Sequence, residues 1–366
     1  MTATAALTPP LVDPAGVTFR LPDPHARLRG VRLYQEVRVP GDQLDFSYRR
    51  GVWSLFLPRP AANRMEYLLE LSHPNEGRET ITDPANPLRA AGAFGDKSVI
   101  EFPEYHRPGW LDQAGCPGGF TELAVSSQNL GSTVHGALWS PDQLDPASPA
   151  PLLIVHDGPE YARLAELIRF VAVQIGSGRI RPIRVALLAP GDRNRWYAVY
   201  PAYARALAGE VLPALAELAP STIRIGAGAS LGALAMLHAH RLSALFDGLF
   251  LQSGSFFQPQ LDAQERRFAR FGPVTRFVGD LAQAVADPRP LPVAMTCGVL
   301  EENLANNRAM AAILDGLGYR VQLAEVRDVH NYTAWRDGFE PALADLLIEL
   351  AGPDLAAQPA ESGSTA

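Results

Sequence analysis

One serine in this chain, Ser230, stands in a pattern that places a nucleophile on a sharp turn. The stretch reads Gly226-Ala-Gly-Ala-Ser-Leu-Gly232, so that a glycine lies two positions before the serine and another two positions after it. This is the G-x-S-x-G pattern of a nucleophile elbow, in which a strand turns abruptly into a helix. Glycines are needed there because the two backbones approach closely. The pattern predicts a raised Ser230 hydroxyl, with the Leu231 N–H and the helix N-terminus aimed at the group that the serine attacks.

A serine nucleophile needs a base to take its proton and an acid to orient that base. His330 follows the last predicted strand of the chain, and Glu301 follows the strand before it. The order serine, acid, histidine along the chain is that of the α/β-hydrolases. Glu302 is a rival for the acid, although its other role would be a favourable charge at the start of the helix from Asn303. We therefore predict a Ser230–His330–Glu301 triad.

The elements that must position these residues alternate between strand and helix after residue 120. Near-continuous apolar strands separated by helices indicate a mostly parallel sheet with helices on both faces. Active sites in such sheets lie at the carboxyl ends of the strands, where all three residues are expected. We predict an opening hairpin at 120–125 and 134–139, strands at 152–156, 184–189, 222–225, 248–252, 293–297 and 321–326, and helices near 160–176, 203–218, 231–242, 303–317 and 335–350.

The first hundred residues have a different pattern, with short alternating runs separated by Gly, Pro, Asp and Asn. Period-two alternation of this kind indicates antiparallel strands, and about seven short strands indicate an immunoglobulin-like β-sandwich. The predicted fold is therefore an α/β-hydrolase preceded by a small β domain. Its boundaries are a disordered leader at 1–15, the β-sandwich at 16–96, a linker at 97–119, the hydrolase domain at 120–352 and a disordered tail at 353–366.

Composition and charge narrow the function classes. The chain has 366 residues, 32 Lys and Arg against 39 Asp and Glu, and a net charge of −7. This acidic balance without a basic run argues against nucleic acid as a partner. The N-terminus lacks the pattern of a secretory signal, and no apolar run is long enough for a membrane span. Cys116 and Cys297, the only cysteines, lack zinc spacing and are expected to be reduced in the cytoplasm. We expect no metal or other cofactor and no membrane partner.

Five motifs give the chain a resemblance to a known family. They are His156-Asp-Gly158, Gly228-Ala-Ser-Leu-Gly232, Gln252-Ser-Gly-Ser255, Cys297-Gly-Val-Leu-Glu301 and His330-Asn-Tyr-Thr-Ala-Trp335. On these residues, roughly 120–350 resembles the enterochelin esterase-like branch of the α/β-hydrolase esterases, whose relatives include feruloyl esterases and the antigen 85 mycolyltransferases. The resemblance implies cytoplasmic hydrolysis of catecholate trilactone siderophores. The N-terminal β domain is similar to the one that precedes the hydrolase domain in enterochelin esterases.

The same resemblance implies a second oxyanion donor just after the Asp-Gly pair. That position is Pro159 here, which has no N–H to donate. The backbone N–H of Gly158, that of Glu160 or the hydroxyl of Tyr161 could replace it. We take Gly158 with Leu231 as the predicted oxyanion hole.

The predicted substrate-binding residues lie in three stretches. Arg193 and Arg195 lie at the expected active-site edge with Trp196, where arginines could grip an anionic ligand and the indole could stack on an aryl ring. An equally good interpretation is a salt-bridged loop that caps the sheet. The remaining candidates are Asp157, Tyr161 and Trp335.

These observations predict a serine carboxylic-ester hydrolase of the enterochelin esterase type. Its partner would be a small-molecule ester, with a ferric siderophore among the candidates. One alternative is a general or feruloyl-type carboxylesterase, or an acyltransferase that uses an alcohol instead of water. Another is a non-catalytic binding protein on a hydrolase scaffold, because fold alone does not fix function.

Overall fold

The computed structural model describes residues 7–37, 40–74 and 77–353. The chain divides into two compact units that interleave in sequence. The first comprises Met1–His106, Gly298–Glu301 and Val326–Ala334, and the second comprises Arg107–Cys297, Glu302–Glu325 and Trp335–Ala366.

The first unit is built from two small antiparallel sheets that share one hydrophobic core. The strands alternate buried and exposed side chains, as in β2, where Val17, Phe19 and Leu21 point inward. One sheet has the order β1-β2-β5-β4, and the other has the order β3-β6-β9-β8 with β7 paired to β6. The strands are β1 Leu11–Asp13, β2 Gly16–Pro22, β3 Gly30–Gln35, β4 Ser47–Arg49, β5 Val52–Pro58, β6 Arg64–Ser72, β7 Arg78–Ile81, β8 Arg89–Ala90 and β9 Lys97–Glu101.

Two predicted boundaries of this domain are wrong. The predicted leader, 1–15, contains β1, which pairs with β2 through a tight turn. The predicted linker, 97–119, begins with β9, whose Val99 and Ile100 are buried beside β6. The turn-rich stretch near residues 83–87 reads as the end of a domain, but the chain returns for two more strands after it. Residues 1–6 of the leader and 354–366 of the predicted tail lie outside the described residues.

The second unit contains an eight-stranded sheet with the order β10-β11-β13-β12-β14-β15-β16-β17. Only its first two neighbouring pairs are antiparallel, and β13, β12, β14, β15 and β16 run parallel to one another. The central strands are fully buried, as the apolar runs predicted. The strands are β10 Gly118–Ser127, β11 Ser132–Pro141, β12 Ala150–His156, β13 Arg184–Leu188, β14 Ser221–Ala229, β15 Gly248–Gln252, β16 Pro292–Gly298 and β17 Arg320–Val326.

Helices cover both faces of this sheet. They are α1 Gly158–Leu164, α2 Leu167–Gly176, α3 Arg193–Trp196, α4 Pro201–Ala206, α5 Leu212–Leu218, α6 Leu231–Ser243, α7 Phe271–Gln283, α8 Leu304–Gly316, α9 Tyr332–Asp337 and α10 Ala342–Ala351. A π-helical turn, Leu207–Val211, joins α4 to α5. Within the described part of the chain, no helix combines the length and apolar character that crossing a membrane requires.

Two helical regions differ from the prediction. The predicted helix near 160–176 is split because Glu166 has a left-handed backbone, with φ 51°. The helix α7 was missed because Gly272, Pro273 and Gly279 give its sequence the look of a loop. Its apolar residues at helical spacing, Val274, Val278 and Leu281, are buried and hold the helix on the core.

Candidate active site

Ser230 lies on the sharp turn that the sequence predicts, between β14 and α6. Its backbone has φ 56° and ψ −124°, a conformation that non-glycine residues rarely adopt. The turn is tight, because a Cβ added to Gly228 would lie 2.6 Å from the backbone carbon of Gly232. The Ser230 N–H donates to the Gln252 carbonyl at 2.9 Å, which ties the turn to the end of β15. Backbone strain of this kind concentrates at functional sites, where the surrounding structure enforces it.

The hydroxyl of Ser230 has a neighbour that the sequence did not single out. Its Oγ lies 3.1 Å from the Oγ of Ser255, and the Ser255 N–H donates to the Ser230 carbonyl at 3.1 Å. Asn307 of α8 fixes the backbone just before Ser255, since its side chain both accepts from the Gly254 N–H and donates to the Gly254 carbonyl, each at 2.9 Å. Ser255 is therefore placed to select one rotamer of the Ser230 side chain. The motif Gln252-Ser-Gly-Ser255 was the available signal.

A buried histidine supports the other side of the turn. His156, at the end of β12, lies with Nδ1 3.0 Å from the Gly232 carbonyl and Nε2 2.8 Å from the Tyr203 hydroxyl. Burial lowers the pKa of His156 to about 4, so the ring is neutral near pH 7. Since a carbonyl can only accept, Nδ1 is the donor, and Nε2 accepts from Tyr203. His156 thus anchors the first turn of α6 and is not available as a base.

Asp157 and Arg193 form a bidentate ion pair beside this histidine. Arg193 Nε donates to Asp157 Oδ1 at 2.8 Å, and Nη2 donates to Oδ2 at 2.7 Å. The Asp157 side chain is almost fully buried, whereas that of Arg193 is 34% exposed. This geometry matches the interpretation of the loop as a salt-bridged cap. The charges of both residues are directed at each other, so neither is carried into our proposal as a ligand for an anionic substrate.

The predicted aromatic contacts point into the protein. Tyr161 is 1% exposed and donates its hydroxyl to Gln252 Oε1 at 2.9 Å. Trp335 is 6% exposed, and its Nε1 donates to Ser253 Oγ at 3.0 Å. Trp196 is equally buried and stacks on Tyr203 with ring centroids 5.8 Å apart. These rings have little surface left for a substrate, so their packing corrects the prediction that they bind one and gives them a structural role at the strand ends.

Arg195 differs from its neighbour Arg193. Its Nη2 donates to the Tyr200 hydroxyl at 2.8 Å, and its guanidinium carbon lies 4.8 Å from the centroid of the Tyr200 ring. The residue is exposed. Of the predicted substrate-binding residues, Arg195 is therefore the one whose charge is not directed at a carboxylate by the contacts described above.

Gly158 begins α1 and packs directly on the neighbouring strand. A Cβ at this position would lie 2.4 Å from the Cα of Leu187, so only glycine fits without moving the backbone. Pro159 occupies the first turn of α1. The roles of Gly158 and Leu231 as oxyanion donors stay predictions.

In the first unit, Glu301 and His330 form the acid–base pair that the sequence predicts. The Glu301 side chain is 1% exposed, and its Oε2 lies 2.7 Å from His330 Nδ1. Its other oxygen, Oε1, accepts the Gly298 N–H at 2.8 Å. A carboxylate accepts only, so Nδ1 carries a proton, and in the neutral ring the lone pair is then on Nε2. Glu301, and not its neighbour Glu302, is the carboxylate at this nitrogen.

Among the described residues, no group of three or more His, Cys, Asp or Glu side chains is arranged to hold a metal ion. Both cysteines are free thiols, with Cys297 buried and Cys116 partly buried.

The chain matches no protein-family model, and no curated protein matches its sequence. Solved structures do match its fold. The enterobactin esterase of Shigella flexneri, solved in the presence of enterobactin, has a TM-score of 0.74 at 19% identity, covering 93% of this chain and 94% of that one. Ferric enterobactin esterase of Salmonella typhimurium has a TM-score of 0.74 at 21% identity, covering 91% and 93%. A ferulic acid esterase has a TM-score of 0.53 at 15% identity, covering 63% of this chain and 98% of that one.

These likenesses confirm the predicted fold, an α/β-hydrolase preceded by a small β domain, over nearly the whole chain. They confirm the predicted resemblance to enterochelin esterases at the level of the fold. Esterases are therefore the enzymes with which this chain shares its architecture.

Proposed function

We propose that this protein is a serine carboxylic-ester hydrolase with Ser230 as its nucleophile. The observation that carries the proposal is the strained backbone of Ser230 on a strand-to-helix turn, at the carboxyl end of a central parallel strand. The hydrogen bond between Glu301 and His330 supports it, because it gives the imidazole the tautomer that a general base needs. The fold shared with known esterases supports it independently.

The reaction follows from these roles. Ser230 Oγ attacks the carbonyl carbon of the ester while its proton passes to His330 Nε2, and the buried carboxylate of Glu301 stabilises the imidazolium that forms. The tetrahedral intermediate collapses, the bond to the alkoxy oxygen breaks, and His330 returns the proton to the leaving alcohol. Water, deprotonated by His330, then releases the acid from Ser230. The Leu231 and Gly158 N–H groups stabilise the oxyanion in both steps.

A fluorophosphonate probe tests the nucleophile directly. We expect the wild-type protein to form one covalent adduct, which mass spectrometry of the digested protein locates on the peptide that contains Ser230. The reason is that such probes capture serines activated by a neighbouring base.

Ser255→Ala is the matched control, since it removes the adjacent hydroxyl but keeps the nucleophile, and it should still be labelled. An adduct on another serine would contradict the proposal. A folded protein that forms no adduct would favour the alternative of a binding protein.

For the substrate, we propose an ester with a bulky aryl or catecholate acyl group, of which a catecholate trilactone siderophore is the first candidate. The structural likeness to an esterase solved in the presence of enterobactin supports this class. So does the exposed Arg195, whose guanidinium lies over an aromatic ring and could meet an anionic aryl ligand. A generic carboxylesterase, a feruloyl esterase and an acyltransferase are the alternatives. The cytoplasmic location stays a prediction from the sequence.

A substrate panel read by mass spectrometry should separate these classes. We expect cleavage of ferric and iron-free trilactones to exceed that of feruloyl and short acyl esters, and Arg195→Ala to raise KM for the anionic ferric trilactone by about tenfold. The reason is that a charge-assisted contact to the ligand would be lost.

Arg320→Ala is the matched control, because Arg320 is an exposed arginine at the amino end of β17, away from the strand ends at which active sites lie. Efficient turnover of short acyl esters without trilactone cleavage would contradict the substrate class and leave the general esterase. Adding alcohol acceptors to the same assay would reveal acyl transfer by its ester products.

A further inference from the structure

The segment that carries His330, residues 326–334, belongs to the first compact unit together with the N-terminal strands. We call this segment the His330 loop. Val329, the residue before the histidine, is 3% exposed and lies in the same hydrophobic core as the side chains of β2, β3, β5 and β6. Leu300, the residue before Glu301, packs against that core as well. The two residues of the acid–base pair are thus each preceded by an apolar anchor in the β domain.

Backbone contacts fix the loop at its beginning. The Asn63 N–H donates to the Arg327 carbonyl at 2.7 Å, and Arg327 Nε donates back to Asn63 Oδ1 at 2.9 Å. Asn63 in turn accepts from the Phe102 N–H through its own carbonyl. The start of the His330 loop is therefore hydrogen-bonded to the β domain beside β6 and β9.

The strongest feature is a buried group of charges next to the loop. Arg64 and Glu66 of β6 form an ion pair with Nη1 and Oε1 2.9 Å apart, and the same Nη1 lies 3.9 Å from Asp328 Oδ2. The side chains of all three residues are at most 5% exposed. We call these three residues the Arg64 cluster.

Hydrogen bonds from the Arg64 cluster reach both sides of the histidine. Asp328 Oδ1 accepts from the Val329 N–H at 2.8 Å and from Asn331 Nδ2 at 3.3 Å. On the far side, Thr333 Oγ1 donates to Glu66 Oε1 at 3.4 Å. His330 therefore lies in the middle of a short segment whose neighbours are held by charged groups that water does not reach.

The charges in this group depend on Arg64. Burial raises the pKa of Asp328 to about 7, and the guanidinium of Arg64 is the main influence that lowers it. Lys97 supplies a second positive charge, 3.6 Å from Glu66, but it is also paired with Glu36 at 2.6 Å. Without Arg64, two buried carboxyl groups would face each other with only Lys97 to compensate, an arrangement that is strongly unfavourable.

We propose that the Arg64 cluster is a positioning device for the reaction, through which the N-terminal β domain holds the His330 imidazole against Glu301 in the orientation that general-base chemistry requires. The proposal rests on the proposed esterase function. It assigns the β domain a role in catalysis other than contact with the substrate. Arg64, Glu66 and Asp328 are positioning residues, since each acts on the imidazole through the loop.

Arg64→Met tests the proposal with two readouts, one of which does not need activity. In the wild-type protein with ¹⁵N-labelled histidines, we expect a strongly downfield Nδ1–H signal from His330, assigned by its loss in His330→Gln. Arg64→Met should weaken or remove that signal, and kcat for p-nitrophenyl acetate should fall about 10²-fold with little change in KM, because a small misplacement of a catalytic group has an effect of this size.

Arg32→Met is the matched control, because it removes an arginine from an exposed ion pair with Asp45 in the same unit, and it should keep both the signal and the rate. Should Arg64→Met not fold by circular dichroism, Asp328→Asn provides the same test. Its amide oxygen can still accept the Val329 N–H, while its attraction to Arg64 is lost. A folded variant with an unchanged signal and rate would overturn the positioning role. A wild-type protein without esterase activity, in which the signal still depends on Arg64, would refute the proposed function alone.

Discussion

Replacing Ser230 with alanine should lower kcat for ester hydrolysis by about 10⁶-fold, the size of effect that follows removal of the nucleophile in serine hydrolases. The covalent route is then closed, because no other atom is bonded where the acyl group must be transferred. Substrate binding should change little, since the missing atom reacts and does not grip the substrate. Steady-state kinetics with p-nitrophenyl acetate, together with labelling by a fluorophosphonate, measure both effects.

A thermal unfolding curve shows that such a loss is chemical. Alanine is no larger than serine, and the Ser230 backbone contacts to Gln252 and Ser255 use main-chain atoms that alanine keeps. The unfolding midpoint of Ser230→Ala should therefore stay close to that of the wild-type protein. Activity that survives in this variant would exclude Ser230 as the nucleophile, and the binding-protein alternative would require that neither protein show activity.

The Ser230 turn could be predicted from the sequence because its constraints are local. A chain that passes from a buried strand into a helix within one residue needs small neighbours, and the close approach of Gly228 to Gly232 shows the reason. The pairing of Glu301 with His330 could be anticipated for a topological reason. Residues that follow neighbouring parallel strands emerge at one edge of a sheet, so their order along the chain restricts which of them meet.

The direction of a side chain could not be predicted in the same way. Tyr161 and Trp335 lie at strand ends, where the pattern places a substrate, yet their polar atoms turn inward to Gln252 and Ser253. Likewise, the bond between Arg193 and Asp157 joins two residues that are far apart in sequence and that a charge pattern cannot pair. Such contacts depend on which partner the packing of the core brings within reach.

The role of the β domain was beyond the sequence for a related reason. Arg64 and Glu66 sit in an alternating strand, where charged residues ordinarily face solvent, and their nearest acidic neighbour along β6 suggests nothing about Asp328. The interleaving of residues 298–301 and 326–334 with the N-terminal unit is what brings them together. Sequence periodicity describes one element at a time, whereas this cluster joins a strand to a loop that lies more than 250 residues later.

Glu301→Gln should lower kcat by about 10⁴-fold, by analogy with the loss of the corresponding carboxylate in a serine protease triad. Glu301 accepts hydrogen bonds on both oxygens, from the Gly298 N–H and from His330 Nδ1. A glutamine has one oxygen and one NH₂ group, so either orientation of its amide turns a donor towards another donor. The relaxed arrangement moves the proton of the neutral imidazole to Nε2, where the lone pair of the base is needed.

The neighbouring variant Glu302→Gln gives this prediction its control. It makes the same change of charge one residue later, at a carboxylate that is not the one bonded to His330 Nδ1, and its activity should stay within about threefold of the wild-type value, as is usual for a surface substitution. Comparison of kcat, with unfolding curves to confirm that both variants fold, distinguishes the two residues. If Glu302→Gln is the inactive variant and Glu301→Gln is not, then the acid that orients His330 during turnover is Glu302, and the contact at 2.7 Å belongs only to the resting protein.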